Sequence, residues 1–295
     1  YWRPRRNSGG GVTAEEKQHL RRQLLQHINQ DNNQIAVQVA VIFAKIARHD
    51  YPREWSTLFS DLLNCLQSSD LLVQRRVYLV FHHILKELSS KRLTADQKNF
   101  AEITRQLISD VWANWCTDTQ VLLDGLPAAL ASPPTEPNRT LLLHFERWLL
   151  LLKALRRLLL FGFPHDAKSA SPCQGVLEVL PPLLQALQAL LPMRPAHPHS
   201  FSKPLAMLDR GLLKLVKTLT DVQEAHPWAF YRSEALLPAM QLACDSLVTA
   251  EYGGSSLPTR FMLRCILLVH QVLMSSAYRS TESSLSSFTP AAQEA

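Results

Sequence analysis

Cysteine is scarce in this sequence of 295 residues, and its few copies lie far apart. They stand at Cys65, Cys116, Cys173, Cys244 and Cys265. No two of them form a Cys-x-x-Cys pair, and their number is odd, so the spacing matches neither a zinc site nor a disulfide framework. We therefore predict no zinc and no disulfide bonds, and a reducing intracellular compartment for the chain.

Motifs that carry catalysis are also missing. The sequence has no Gly-x-Ser-x-Gly elbow, no His-Glu-x-x-His and no paired carboxylates, and no P-loop continues from the glycines at 9–11. His82 and His83 are adjacent, so on a helix they point ~100° apart and do not favour one metal ion. The histidines of segment 195–199 have no third ligand nearby in sequence. We predict no enzyme activity, no cofactor and no metal site.

The sequence lacks a segment that reads as a signal peptide or a membrane span. It begins at Tyr1 without methionine, which favours a piece of a longer chain. The leucine-rich run 141–163 is interrupted by five charged residues. The uncharged run 179–193 contains three prolines and is shorter than the ~20 residues that a spanning helix needs. No contact with a membrane is predicted.

The balance of charge is basic, with a formal net charge of +6 and a pI near 9.2. Such a balance favours acidic partners or nucleic acid. Arginines between Arg3 and Arg6, and the pair Arg21 and Arg22, would suit nucleic acid, but no platform of interleaved aromatic residues accompanies them. Nucleic-acid binding is therefore the least favoured of the functions considered.

Helical periodicity is abundant, and it is strongest in residues 34–63. Two adjoining apolar stripes run through the first half of this stretch at i, i+4, i+7, i+11 spacing. One consists of Ile35, Val39, Ile42 and Ile46, and the other of Ala36, Ala40, Phe43 and Ala47. A helix with two apolar stripes should pack against neighbours on more than one side, as the inner member of a stack does. Asp50-Tyr51-Pro52 then breaks the helix, and Pro52 suits the first turn of another one.

The rest of the chain repeats this plan of helix, turn and helix. Thr13 and Glu16 form a capping box that starts the first helix, and no strand signal is present. Read in pairs, the helices give hairpins at a spacing of ~40 residues, the period of HEAT and armadillo repeats. Predicted helices after the Pro turn are 53–67, 71–89, 94–116, 139–161, 174–191, 204–225, 233–250 and 259–277. The helix at 94–116 is expected to end there or to extend through 117–126, before a Pro-rich linker that begins at Pro127.

Three regions follow from this pattern. Residues 1–12 are expected to be the end of a preceding repeat and a Gly-rich linker. Residues 13–278 are expected to form a HEAT-like solenoid of about five helical hairpins. Residues 279–295 are rich in serine and are expected to be disordered. The predicted fold class is an all-α, right-handed superhelical solenoid of HEAT- or armadillo-like hairpins.

One part of this pattern resembles a known family. Gln34-Ile35-Ala36, Ile46-Ala47 and the segment Asp50-Tyr51-Pro52-Arg53-Glu54-Trp55 are similar to a repeat of the importin-β (karyopherin) superfamily of nuclear transport receptors. Ser56 replaces the second proline that this motif usually has. The resemblance covers Tyr1 to about Tyr278 and is strongest before Leu93. It implies that Asp50, Tyr51, Pro52 and Trp55 have a structural role in closing a hairpin.

The resemblance also implies a function. Family members bind GTP-bound Ran and protein cargo, contact the Phe-Gly repeats of pore proteins, and shuttle between nucleus and cytoplasm through the nuclear pore. We expect a monomer of this kind, importing proteins. Lys45 and Arg48 lie on the thin polar strip of the apolar helix, and Arg75 and Arg76 open a corresponding helix, so these four are candidates for partner contacts in the inner groove. A HEAT-repeat scaffold of a multiprotein complex unrelated to Ran is the alternative.

Overall fold

The computed structural model describes residues 2, 11–131, 138–168, 171–195, 202–252 and 257–279, and they contain helices but no strand. The chain divides into two compact units, Tyr1–Ile103 and Thr104–Ala295. Residues 280–295 of the predicted disordered tail, most of the predicted linker at 1–12 and the histidines of segment 195–199 lie outside the described residues.

Helices of the described residues follow each other with short connections. They are α1 (Ala14–Gln26), α2 (Asn33–Asp50), α3 (Leu58–Cys65), α4 (Leu71–Leu88), α5 (Thr94–Ala131), α6 (Arg139–Phe161), α7 (Gln174–Leu177), α8 (Leu180–Leu190), α9 (Lys203–Ala225), α10 (Pro227–Arg232), α11 (Leu236–Tyr252), α12 (Thr259–Met274) and α13 (Ser276–Arg279). Short 3₁₀ turns occupy Asp166–Lys168 and Leu191–Met193.

In the first unit, α2 packs chiefly against α4. Aromatic rings form the core between these helices and α3: Phe43 stacks on Trp55 with ring centroids 6.0 Å apart, and Phe59 stacks on Phe81 at 6.1 Å. The predicted capping box at the start of α1 is confirmed, since the Glu16 N–H donates to Thr13 Oγ1 and the Thr13 N–H donates to Glu16 Oε2.

The two apolar stripes of α2 differ in burial. Ala36, Ala40 and Phe43 are buried, whereas Ile35 and Ile42 are 49% and 48% exposed. In the described residues, the prediction that both stripes are covered therefore holds for the alanine stripe and for Ile46, but it is wrong for Ile35 and Ile42. Its neighbours cover the alanine stripe closely, because small side chains let another helix approach, and they leave much of the isoleucine stripe open.

Two predicted helix boundaries are also wrong. The helix predicted over 53–67 begins only at Leu58, because the Asp50 carbonyl accepts the N–H groups of Glu54 and Trp55 and holds the intervening residues in a turn. The helix predicted to end near 116 or 126 continues to Ala131 and passes through Pro127, where a linker is predicted. Leu122 is buried, and its apolar contacts stabilise the part of the helix beyond residue 116.

In the second unit, α5 and α6 form an antiparallel hairpin. Trp115 of α5 stacks on Trp148 of α6 with centroids 5.9 Å apart, and both are buried. Helix α9 packs on α6 and α12, and it also pairs with α8, while α11 pairs with α12. Helices α6, α9 and α12 thus form one row, and α8 and α11 lie beside each other in another.

The segment Gln174–Met193 is long and apolar enough to cross a membrane by length and composition alone. The uncharged run 179–193 within it is, by itself, too short to span a membrane. The segment in fact comprises α7, α8 and a 3₁₀ turn, and α8 packs against α9 in a hairpin. Leu180, Leu183 and Leu190 are fully buried there, so their apolar character serves the core of this unit.

Candidate partner-binding surface on helices α2 and α4

The turn after α2 is built around a buried carboxylate. The Asp50 side chain is 0% exposed, and it accepts hydrogen bonds from Trp2 Nε1 at 2.9 Å and from Arg21 Nη2. Its backbone carbonyl accepts the N–H groups of Glu54 at 2.7 Å and of Trp55 at 3.2 Å. Asp50 therefore ties the end of α2, the turn and α1 together, and it fixes the exit direction of α2.

Trp55 fills the inside of the same turn. Its ring is 4% exposed, it stacks on Phe43, and the Arg21 guanidinium lies 5.4 Å above its centroid. The ring nitrogen donates to Asp61 of α3 at 3.3 Å. Tyr51, which forms a cis peptide bond with Pro52, contacts Phe59 edge-on at 5.0 Å. Burial and the negative charge of Glu102 raise the pKa of Tyr51. Of the four motif residues, Asp50 and Trp55 are buried and Tyr51 and Pro52 are half-buried.

Helices α2 and α4 run parallel with a constant register. Asn33 at the start of α2 accepts from Arg75, and near the end of α2 Lys45 donates to Glu87 while Arg48 donates to Ser90. The members of each pair are 42 residues apart. Because the offset is the same at both ends, α2 and α4 occupy equivalent places in two successive helical repeats.

Lys45 and Arg48 lie on one surface and share a partner. Lys45 Nζ is 2.6 Å from Glu87 Oε1, and its side chain is 61% exposed. Arg48 is 36% exposed, and its guanidinium donates to the Glu87 carbonyl at 2.9 Å and to Ser90 Oγ at 2.7 Å, at the C-terminal end of α4. The hydrogen bond from Lys45 is the largest cause that lowers the pKa of Glu87. Both cations remain open to solvent on one side.

Arg75 and Arg76 lie at the other end of this surface. Arg76 is predicted to contact a partner in the groove, but its side chain is buried. It is 2% exposed, and it donates to the carbonyls of Gln30 at 2.7 Å and Asp31 at 2.8 Å. Arg75 and Arg76 both donate to Asn33 Oδ1. A buried guanidinium that satisfies loop carbonyls holds the α1–α2 loop against α4, so of this pair only Arg75 is within reach of a partner.

Sequence reasoning missed two features. The pair Arg21 and Arg22 suggests only nucleic acid in the sequence, but Arg21 binds Asp50 in the turn, 29 residues away. In the second unit a pocket of about 520 Å³ lies between the end of α8 and α11. It is lined mainly by Leu191, Pro192, Arg194, Pro238, Leu242 and Asp245. No local motif marks either feature, since each joins residues that are distant in sequence.

The described part of the chain shows no cluster of metal-ligating side chains. Among those residues, no group of three or more His, Cys, Asp or Glu side chains could hold a metal ion. The surface of α2 and α4 offers cations, backbone carbonyls and a carboxylate, which suit contacts with a protein surface.

Comparison with known proteins gives a consistent result. The profile of the Exportin 1-like protein family matches residues 32–118. The chain is 29% identical over 288 residues to Importin-11 of Homo sapiens, which is 96% of this chain and 27% of that protein, and the values for Mus musculus are the same. It is 30% identical over 224 residues to the importin beta-like protein kap113 of Schizosaccharomyces pombe, covering 68% of this chain and 22% of the relative.

A solved structure is also similar. It is that of Lph2, described as a bidirectional nuclear transport receptor in S. cerevisiae, with a TM-score of 0.69 and 21% identity over 93% of this chain and 26% of the other. This likeness confirms the predicted all-α, HEAT-like solenoid fold. The chain spans about a quarter of the length of the relatives that it matches.

Proposed function

Since the chain belongs to the importin-β (karyopherin) superfamily, we propose that it is a segment of a nuclear transport receptor that binds GTP-bound Ran and protein cargo and moves between cytoplasm and nucleus. The observation that carries this proposal is the similarity to Importin-11 across 96% of the chain. It is supported by the turn around Asp50 and Trp55, which holds α2 and its polar strip in place.

The α2–α4 surface is the proposed contact for Ran or cargo. Lys45 and Arg48 present two cations beside each other, and Arg75 adds a third at the other end of the same two helices. Exposed or half-exposed cations of this kind attract a carboxylate-bearing partner and set its orientation. Because their intramolecular partner Glu87 is itself only 22% exposed, a protein partner meets mainly the positive side of the cluster.

Ran binding is tested with the isolated chain. The chain is titrated into Ran that carries a fluorescent guanine nucleotide, as the triphosphate and as the diphosphate, and anisotropy is followed. A preference for the GTP form supports the proposal. Equal affinity for both forms, or no binding, contradicts Ran binding by this segment and favours the HEAT-repeat scaffold.

A charge swap tests the role of the surface. Reversing both cations, in Lys45→Glu with Arg48→Glu, is expected to weaken binding of Ran or cargo about tenfold. Adding Glu87→Lys restores attraction inside the protein but leaves the outward charge reversed, so binding is expected to stay weak. The matched control reverses exposed Arg53 and Lys98 instead.

Two outcomes would contradict this assignment. If Glu87→Lys restores binding, the three residues act only by stabilising the pair of helices. If the Arg53 and Lys98 reversals weaken binding equally, net charge alone is responsible. Circular dichroism and the melting temperature are expected to stay close to those of the unchanged chain, since exposed pairs of this kind contribute at most about 1 kcal/mol.

The pocket between α8 and α11 is the proposed site for the Phe-Gly repeats of pore proteins. Its volume of about 520 Å³ lies within the usual range for small-ligand pockets of ~300–1,000 Å³. Leu191, Pro238 and Leu242 supply apolar contacts for a phenyl ring, while Gln188 and Gln241 can bind the peptide backbone. A receptor that passes through the pore needs such weak, apolar sites.

Leu242→Arg is expected to weaken binding of a Phe-Gly repeat peptide about tenfold, because the charged side chain enters the pocket. Leu237→Arg is the matched control, since Leu237 lies on the same helix, is 68% exposed and does not line the pocket. Binding is measured by nuclear magnetic resonance titration. Equal effects of both substitutions would assign the peptide to another surface.

A further inference from the structure

The row formed by α6, α9 and α12 carries a dense group of cations on one side. Three of them, together with Asp221, follow each other along α9 at i, i+4, i+7 and i+11 spacing, which is a single face of a helix. The group, here named the basic patch, consists of Lys153 and Arg156 of α6, Arg210, Lys214 and Lys217 of α9, and Arg264 of α12.

Contacts between α6 and α9 bring the two sets of cations together. At one end, a Cβ on Gly211 would lie 3.0 Å from the Trp148 ring, and at the other end Arg156 forms an ion pair with Asp221. These two contacts fix the helices in parallel register. Lys153 lies between Trp148 and Arg156 on α6, and it is close enough to Lys214 and Arg210 of α9 for their charges to act on it.

Only part of this charge is neutralised. Asp221 pairs with Arg156, with Lys217 at 3.0 Å and with Arg264 at 3.6 Å. Within the described residues, Lys153, Arg210 and Lys214 have no such carboxylate. One carboxylate therefore serves the six cations of the patch, and a strong positive charge remains at its Lys153 end.

The surroundings of Lys153 and Lys214 disfavour the charged form of each side chain. Burial lowers the pKa of Lys153, and the nearby charges of Lys214 and Arg210 lower it further. Burial likewise lowers the pKa of Lys214, and the charges of Lys217, Arg156 and Arg264 lower it further, while the carboxylate of Asp221 opposes them. An anion bound beside them would relieve this repulsion, so the folded protein favours an anionic ligand at this place.

We propose that the basic patch binds an acidic segment of a partner protein. Asp221 shows how a carboxylate fits here, since it already forms ion pairs with cations of all three helices. The α9 stripe from Arg210 to Asp221 is about 16 Å long at 1.5 Å per residue. An extended peptide of about five residues spans this length. The proposal does not depend on Ran binding or on the α2–α4 surface.

An acidic peptide fits this surface better than a nucleic acid does. The patch contains no aromatic side chain on which bases could stack, which single-stranded nucleic acids require for tight binding. Its lysines are half-buried between helices, where a carboxylate on a short side chain can reach them. Its length matches a few amino acids, whereas a duplex backbone would need cations spread over a longer track.

Fluorescence anisotropy tests the proposal. The probe is a labelled peptide of eight glutamates, and the comparison probes are eight glutamines and a labelled oligonucleotide of eight thymidines. Lys153→Glu with Lys214→Glu is expected to weaken binding of the glutamate peptide at least about tenfold. The matched control reverses Lys86 and Lys98, two exposed lysines of the first unit that are not part of the patch, and is expected to leave binding close to its original value.

Neutral variants separate this role from one in folding. Lys153→Gln with Lys214→Gln removes repulsion between buried cations, so the melting temperature is expected to stay the same or rise while peptide affinity falls. A fall in both would assign the two lysines to the stability of the fold and would overturn the proposal. Equal losses in the Lys86 and Lys98 control, no binding of the glutamate peptide, or tighter binding of the oligonucleotide would each overturn it as well.

Discussion

Replacing Asp118 with alanine is expected to lower the free energy of unfolding by about 3–5 kcal/mol. The Asp118 side chain is 0% exposed, and it accepts from Arg147 Nε at 2.7 Å, from Arg147 Nη2 at 2.5 Å and from His144 Nδ1 at 2.7 Å. The substitution leaves the Arg147 guanidinium buried without this carboxylate. Urea unfolding followed by tryptophan fluorescence measures the loss, because Trp115 and Trp148 lie in the same core.

A double substitution provides the control for this buried pair. Asp118→Leu with Arg147→Met replaces both charges by apolar side chains, and we expect it to recover most of the lost stability, as in other buried pairs exchanged for apolar residues. A cost for Asp118→Ala of only about 1 kcal/mol would mean that the pair behaves like one at the surface, and it would contradict the buried geometry.

Replacing Asp50 with alanine is expected to destabilise the first unit by a similar amount, about 3–5 kcal/mol. The carboxylate is fully buried and binds Arg21, whose side chain is 13% exposed, as well as the ring nitrogen of Trp2. Without it, the indole N–H loses its acceptor, and the nearly buried guanidinium keeps the Glu54 carbonyl but loses its buried counter-charge. Trp55 fluorescence follows the unfolding, because its ring lies 5.4 Å below the same guanidinium.

Glu54→Ala is the matched control for Asp50→Ala. Glu54 also lies near Arg21, at 3.8 Å, and it pairs with Lys17 at 2.9 Å, but its side chain is 48% exposed. We expect this substitution to cost less than about 1 kcal/mol. Equal losses of stability in the two variants would show that each carboxylate contributes only its ion pair with Arg21, and that the burial of Asp50 adds nothing.

Much of the helical architecture could be predicted from the sequence, because the information is local. Apolar spacing over a few turns locates a helix, and Thr13 with Glu16 marks a start that the structure confirms. The turn at Asp50-Tyr51-Pro52 could likewise be found from a few neighbouring residues. Pro127 shows the limit of such signals, since proline predicted a linker there and buried Leu122 carries α5 onward instead.

Contacts between helices could not be predicted from local patterns. Arg76 looks like a surface cation in sequence, yet it is buried because its acceptors lie more than 40 residues earlier, in the α1–α2 loop. The basic patch could not be predicted from local patterns either. Arg156 and Arg157 are adjacent in the sequence, but the approach of Lys214 depends on the packing of α6 on α9. Positions of this kind are set by the register between helices, which no single stretch encodes.

The 42-residue register of α2 and α4 also bears on how the chain acquires its fold during synthesis. Each pair links a residue to one in the next helix of the same row, so few residues need to be made before a contact can form. Loop closure over such modest separations costs little entropy. A hairpin that leaves the ribosome can thus pack against the hairpin that was synthesised and folded before it.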